Sequence, residues 1–486
     1  MIARPFPSQT LPQRLPVAAM LKSVSERLGL ARRSVQALVA GTAALFTVSA
    51  VMPAYAQSVS IVRDAEIEAL VREYARPLFE VAGLSKSGIE IVLVNDRRFN
   101  AFVAGRRIFI NTGALQQAET PNEIIGVLAH EIGHLAGGHQ ERLREQLARA
   151  QTMTVVAMAL GIGAAAAGAM TDSKGLAQGG MGIALGGAEM ARRGLLGYQR
   201  TEETTADRSA LTYLEATGQS AKGMITTFER FQSALSLSGT QVDPYQVSHP
   251  MPRDRIANLD TLARQSPYFD KEDSASLQAR HDMMRAKIAV YTDGASGALR
   301  LFRKNPTTIG AAYGDAVATY MYGSPKSALS KADALAKANP KSPYFQELRG
   351  DILMKANKPA QAAEAYSTAM KLDPAKSGIL MIAYGQALLA TGKPDLIEKA
   401  VGELRKGLDR DKEFTNGYAY LAQAYGQLGR VAEAELATAE VHFYSGKYKD
   451  AKIFAARAQT KVKRGSPTWV RAQDIINFKA PSRKNS

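Results

Sequence analysis

Residues 120–134 read TPNEIIGVLAHEIGH, and the rest of the chain is best understood outward from them. Pro121 suits a first helical turn, Thr120 stands at the N-cap, and Glu123 sits where a capping box places a carboxylate. Ile124, Ile125, Val127 and Leu128 then give the helix an apolar body that runs past His134. His130 and His134 are four residues apart, so they share one helical face. Two imidazoles on one face can reach a single tetrahedral Zn2+. Glu131 lies about 100° around the helix from His130. It is badly placed to ligate but well placed to take a proton from zinc-bound water and return it to a leaving amine.

Composition narrows the chemistry. The 486 residues contain no cysteine, so disulfides, thiolate metal sites and cysteine nucleophiles are excluded together. Any metal must be held by His and carboxylate, and only six His are present. Apolar residues at 46% and charged residues at 22% describe a globular chain, while aromatics at 7% favour helices packed through small side chains. The formal charge is +16. Six Lys/Arg and one Glu fall within residues 1–56, leaving 55 basic against 44 acidic residues, or +11, in the remainder. The excess is scattered, with no compact basic run of the nucleic-acid kind, and no nucleic-acid partner is expected.

Residues 1–56 read as a signal peptide. Arg32-Arg33 precede an apolar centre, LVAGTAALFTVSAV, which Pro53 breaks before Ala54-Tyr55-Ala56. This is the basic, apolar, A-x-A order of a secretory signal. Cleavage would leave Gln57 first and deliver the chain to a bacterial periplasm; an uncleaved anchor helix is the alternative.

A third metal ligand must come from elsewhere. A His six residues after His134 would complete one known pattern, but position 140 is Gln140 and His139 falls one place early. Glu203-Thr204-Thr205-Ala206-Asp207 offers two carboxylates four apart on a helix expected from about Glu202 to Glu215. Glu203 can bind zinc while Asp207 accepts the free N–H of His130 or His134. Glu202 is the rival ligand, about 100° off that face.

Upstream, residues 61–83 read as an amphipathic helix, 89–94 (IEIVLV) as a strand and 103–111 (VAGRRIFIN) as a second strand. Downstream, Asn305-Pro306, Asn339-Pro340 and Asp373-Pro374 recur every 34 residues. Gly314, Gly350 and Gly385 recur with nearly the same period, and turns at Gly323-Ser324-Pro325, Asn357-Lys358-Pro359, Gly392-Lys393-Pro394 and Gly429-Arg430 split each unit into two helices. A 34-residue period with a small mid-helix residue and a closing Pro resembles the tetratricopeptide repeat, in about four degenerate units, with Gly446 to Ala451 one further turn and helix.

HEIGH, then ETTAD, then Ser248-His249-Pro250-Met251-Pro252-Arg253-Asp254-Arg255, together with Asn100-Ala101-Phe102 and IFINTGAL, resembles the gluzincin family of the CAAX prenyl protease and the HtpX heat-shock protease. The resemblance covers roughly 60–265. It implies that His130, His134 and Glu203 bind one Zn2+ per chain, that Glu131 is the base, and that Asp207 supports a ligand from behind. It implies that strand 106–111 takes an extended substrate as an added strand. His249 would stabilise the oxyanion, or reach zinc as a fourth ligand and hold the enzyme latent. Arg255 would support the oxyanion or serve as a structural ion pair. His281 and His442, being isolated, suggest nothing, and His139 reads as structural.

The expected fold is therefore mainly α: a zincin-like metalloprotease domain with a small β-sheet, followed by an α-solenoid of tetratricopeptide-like repeats. The expected domains are a signal peptide (1–56), a protease domain (57–270) with a Gly/Ala/Met-rich insertion (153–190), a linker helix (271–304), repeats (305–470) and a tail (471–486). The insertion holds two uncharged runs, Met153 to Met170 and Gly175 to Ala188. They are expected to form a hairpin that covers the site or touches a membrane from one side. The expected function is zinc-dependent endopeptidase action on misfolded or stalled outer-membrane proteins, with the repeats docking polypeptide substrate or the outer-membrane assembly machinery. A chaperone with a regulatory metal, and a membrane-anchored protease of the HtpX kind, are the alternatives.

Overall fold

The computed structural model describes residues 60–170, 174–238, 249 and 253–480. The expected signal peptide, most of the segment around His249 and the last six residues lie outside them. The fold is mainly helical with one small sheet, as expected, followed by helical repeats.

Strand β1 (Ile61–Val62) leads into helix α1 (Ala65–Val81), whose N-cap Asp64 accepts the Ile67 N–H at 2.9 Å. The stretch expected as one helix from 61 thus spends its first residues as a strand. Strand β2 is Glu90–Val94. The second expected strand is a hairpin instead: β3 (Ala101–Ala104) turns back through Gly105-Arg106 into β4 (Arg107–Asn111). Gly105 makes that turn because its φ of 61° is open to glycine.

The sheet order is β1-β2-β4-β3, with β2 parallel to β4 and β3 antiparallel to it. This corrects one expectation. The strand at 107–111 is bonded on both sides and has no free edge for substrate; among the described strands, the unpaired edge on that side belongs to β3.

After the short helix α2 (Thr112–Gln117) comes α3 (Pro121–Gly137), which carries HEIGH and is buried at every residue from Pro121 to Gly133. Thr120 is the N-cap by position but its side chain makes no cap bond. Glu123 reaches one residue further back, accepting the Glu119 N–H at 2.9 Å and pairing with Arg230 at 2.7 Å. Two glycines let other helices close on α3. A Cβ on Gly126 would stand 2.7 Å from Met224 Cβ in helix α6 (Lys222–Ser238). A Cβ on Gly133 would stand 2.8 Å from the Ala206 carbonyl in helix α5 (Lys174–Ala216).

Helix α4 (His139–Met170) and α5 form a long hairpin between the two halves of the site. Helix α5 is continuous from Lys174, so the helix expected from Glu202 is its last third. The hairpin exposes Val155, Leu160, Leu185 and Met190, each more than half accessible. By length and composition alone, 139–165 is long and apolar enough to cross a membrane.

Helix α7 (Arg253–Ala263) closes the N-terminal half of the described chain. The expected linker is helix α8 (Ala275–Asp293) with the short α9 (Gly297–Leu301), and α8 is no spacer. It buries Met284 and Ile288 in the core shared with the sheet and α3, and Met283, Ala286 and Val290 in the first repeat core. Five helix pairs follow: α10/α11 (Ile309–Tyr322, Pro325–Ala338), α12/α13 (Pro343–Lys355, Pro359–Leu372), α14/α15 (Gly378–Ala390, Pro394–Arg410), α16/α17 (Thr415–Gln427, Val431–Tyr444) and α18/α19 (Tyr448–Gln459, Pro467–Asn477). The recurring glycines act as contact points. A Cβ on Gly350 or Gly385 would stand 2.6 Å from Tyr366 or Leu404 of the paired helix.

The repeats fold back onto the N-terminal half of the described chain. Ala65 packs with Ala369 and Leu380, Arg63 pairs with Asp411, and Arg107 reaches Glu413 at 2.6 Å. At the same junction Lys287 pairs with Asp64 at 2.7 Å and Glu66 at 3.3 Å, and the Tyr313 hydroxyl donates to Glu66 at 2.7 Å.

Candidate metal centre

Helix α3 presents His130 and His134 one turn apart, with their Nε2 atoms 3.0 Å from each other. Because Gly133 has no side chain, α5 can lie close enough for Glu203 to approach that pair. Its carboxylate stands 3.4 Å from both Nε2 atoms. His249, the one donor not carried on a helix, brings Nδ1 to 3.1 Å from Glu203 Oε1 and 3.2 Å from His130 Nε2. One donor atom from each of His130, His134, Glu203 and His249 falls within 4.8 Å of all the others, which is the spacing of a tetrahedral cation site.

The supports behind these donors are as ordered as the donors. Asp207, one turn after Glu203, lies 3.0 Å from His130 Nδ1, on the side away from the cluster. Arg255 from α7 donates to both Asp207 oxygens at 2.6 and 2.8 Å and stands 2.9 Å from Glu203 Oε2. It is therefore bound to both carboxylates, the arrangement expected of a structural ion pair. Glu202 points elsewhere, with Oε2 2.9 Å from His139 Nε2 and 2.7 Å from Arg142. His139 in turn sets its Nδ1 2.8 Å from His134 Nδ1. Each helical imidazole thus has a partner on its far nitrogen, Asp207 for His130 and His139 for His134. Such partners fix the tautomer that leaves Nε2 free to bind a metal. The part played by His139 and Glu202 was not legible in the sequence, since Gly138 ends α3 in a left-handed turn between them and the motif.

Charges follow this geometry. Burial opposes ionisation of Glu203, but the imidazoles of His249, His130 and His134 outweigh it and hold its pKa below the usual carboxylate range. Burial also opposes the Asp207 charge, and Arg255 with His130 overcomes it. Burial depresses His130, yet Asp207 and Glu203 raise it to about 9. His134 is lowered, chiefly by burial. His139 is lowered to about 4, by burial and then by His134. Two carboxylates therefore stay ionised around the imidazoles, a donor set suited to a divalent cation.

Glu131 supplies the test of fit. It is buried, and among the described residues neither carboxylate oxygen has a hydrogen-bond partner. Oε1 lies 3.4 Å from His249 Nε2, at the edge of the four-donor cluster. An unsatisfied buried carboxylate is costly unless a ligand, ion or water completes it. Here the group that would do so is a metal with its water.

His281 and His442 take no part. His281 is buried between the Tyr74 hydroxyl at 3.1 Å and the Ala118 carbonyl at 2.9 Å. His442 stacks on Phe454.

Comparison with known proteins gives the same region. Residues 62–263 match Peptidase family M48. The beta-barrel assembly-enhancing protease of Escherichia coli (strain K12) is 23% identical over 425 residues, spanning 84% of this chain and 82% of that protein. The putative beta-barrel assembly-enhancing protease of Vibrio cholerae is 25% identical over 417 residues, with the same coverage. Metalloprotease YcaL of Escherichia coli (strain K12) is 30% identical over 138 residues, 28% of this chain and 48% of its own. Among solved structures, YrrB, a TPR protein with an unusual peptide-binding site, covers 37% of this chain and 93% of its own at 16% identity, with a TM-score of 0.28.

Proposed function

We propose that this chain, a metalloprotease whose residues 62–263 form a Peptidase family M48 domain, is a zinc-dependent endopeptidase of the bacterial periplasm acting on misfolded or stalled outer-membrane proteins. The observation that carries the chemistry is the buried carboxylate of Glu131, without a hydrogen bond among the described residues, beside four convergent donors. His130, His134 and Glu203 would hold one Zn2+, and Asp207, His139 and Arg255 would keep those donors in place. A bound zinc ion lowers the pKa of water and polarises the scissile carbonyl. Glu131 would take a proton from water held there and return it to the leaving amine. An extended substrate would lie along the free edge of β3, which offers backbone groups to any sequence.

His249 fits the role of a resting ligand. His130, His134, Glu203 and His249 together would offer a metal four protein donors, whereas a catalytic site keeps one position open. His249 sits outside the helices, so it is the donor able to leave without unfolding one. Withdrawal of His249 would open the position that water and substrate need.

The periplasmic setting is supported by the basic, apolar, A-x-A order of residues 1–56, and the substrate class by the beta-barrel assembly-enhancing proteases that align along most of the chain. The repeats supply a superhelical surface suited to substrate or assembly machinery, and the apolar hairpin suits peripheral membrane contact. Metal content and casein cleavage test the reading. Wild type should bind one zinc and cleave. Glu131→Gln should keep its zinc and lose at least about 100-fold in rate. His249→Ala should keep zinc more weakly and cleave faster. A zinc-loaded wild type that cleaves nothing, or a Glu131→Gln variant that rescues a deletion strain fully, would favour the chaperone reading instead.

A further inference from the structure

We propose that the side-chain amide of Gln140 is a gate on the substrate edge: it holds the Val103 carbonyl of β3 and the Gly105 N–H of the turn that follows, the two backbone groups an incoming polypeptide strand needs there, and substrate must displace it to extend past Ala104. The proposal rests on the protease reading, and it concerns access rather than chemistry.

The register shows which groups are at stake. Phe102 pairs with Phe109 and Ala104 with Arg107, and the Asn111 N–H donates to the Asn100 carbonyl. In an antiparallel ladder residues alternate between bonding inward and outward. Asn100, Phe102 and Ala104 therefore turn their polar backbone groups toward β4, and Ala101, Val103 and Gly105 turn theirs to the free side. A strand added in either direction uses the Val103 carbonyl and the Gly105 N–H, the two outward groups flanking Ala104.

Both are taken by one side chain. Gln140 Nε2 donates to the Val103 carbonyl at 3.1 Å, and Gln140 Oε1 accepts the Gly105 N–H at 2.6 Å. A carboxamide carries the donor and acceptor of a peptide group, so it can stand in for a piece of strand. Its origin is equally specific. Gly138, with φ of 64°, ends α3 and turns the chain so that the second residue of α4 faces back onto the sheet. The preceding residue, His139, is the one that steadies His134. The gate is thus one residue from the supports of the metal centre, while Gln140 itself remains partly exposed and able to swing outward. Neutral hydrogen bonds of this kind are individually weak. They hold an empty edge closed and yield to a long extended chain that forms several bonds at once.

The test uses the full-length chain as Gln140→Ala and Gln140→Glu. The second keeps the reach but replaces the donor facing the Val103 carbonyl with an acceptor. On β-casein, both should lower KM by about 3- to 10-fold, because the competent edge becomes more populated, with kcat within about twofold and zinc content unchanged. A residue that merely tethers α4 to the sheet would lower kcat or raise KM in both variants. Unchanged or raised KM in an active enzyme overturns the gate alone. Absence of cleavage by wild type defeats the protease reading, and a binding arm then still reads the gate. Fluorescence anisotropy of a labelled, unstructured 15-residue peptide on Glu131→Gln and on Glu131→Gln/Gln140→Ala should show tighter binding to the double variant. Equal binding refutes the proposal.

Discussion

Asp207→Asn isolates what a second carboxylate contributes behind the metal centre. The substitution keeps size and shape and removes one negative charge. In the wild type Asp207 lies 3.0 Å from His130 Nδ1 and receives two hydrogen bonds from Arg255. An ionised carboxylate there accepts only, so Nδ1 must carry the proton and Nε2 keeps its lone pair for the metal. Asparagine can instead turn its NH2 toward Nδ1, which places the imidazole proton on Nε2 and blocks ligation. It also leaves Arg255 with Glu203 as its remaining charged partner of the two, pulling on a carboxylate the metal needs. Loss of such a support costs about 10- to 100-fold in metal affinity, equivalent to about 1.4–2.7 kcal/mol. Competition against a chromophoric chelator at fixed pH measures it, with Asp254→Asn, exposed on the same helix as Arg255, as the control. An Asp207→Asn affinity within twofold of wild type, in a folded protein, would refute the tautomer argument.

Three further outcomes follow from other parts of the molecule. Gly133→Ala should cost about 1–3 kcal/mol by overpacking and weaken zinc binding, because its methyl would meet the Ala206 carbonyl and push α5, with Glu203, off α3; a thermal melt and the chelator assay check both. Lys287→Met should destabilise by about 3–5 kcal/mol, since it leaves Glu66 buried beside Asp64 without its cation; faster limited proteolysis at the protease–repeat junction and a lower melting temperature are the readouts. Burial lowers His281 from 6.5 to about 3. Below pH 6.5 the unfolded chain takes up this proton and the folded chain does not, so stability falls as pH drops through that window, by about 2 kcal/mol at pH 5. Urea unfolding of wild type and His281→Gln at pH 7 and pH 5 should show the variant losing less between the two; equal losses would count against it.

The local features were legible in the residues because backbone geometry is local. One turn of helix separates His130 from His134 wherever the chain goes, and a 34-residue recurrence of Asn/Asp-Pro with mid-helix glycines requires paired helices. Gly105 could have announced the hairpin within 103–111, since a glycine inside a strand pattern marks a turn or bulge, and its positive φ is what divides β3 from β4.

Other features depended on which surfaces pack together. Glu202 and Glu203 are chemically alike and adjacent. Only the packing of α5 on Gly133 sends one to the imidazoles of α3 and the other to His139. Strand order, which moves the free edge from 107–111 to β3, is set by contacts between segments far apart in sequence. The same holds for Gln140, whose role depends on a turn at Gly138 meeting a hairpin at Gly105, more than thirty residues away. By itself the sequence determined the spacing of donors along single helices and the period of the repeats, because 3.6 residues per turn holds for any helix. The tertiary structure decided which carboxylate faces the donors and which edge is covered, because those depend on close approach between helices and strands that no local spacing encodes.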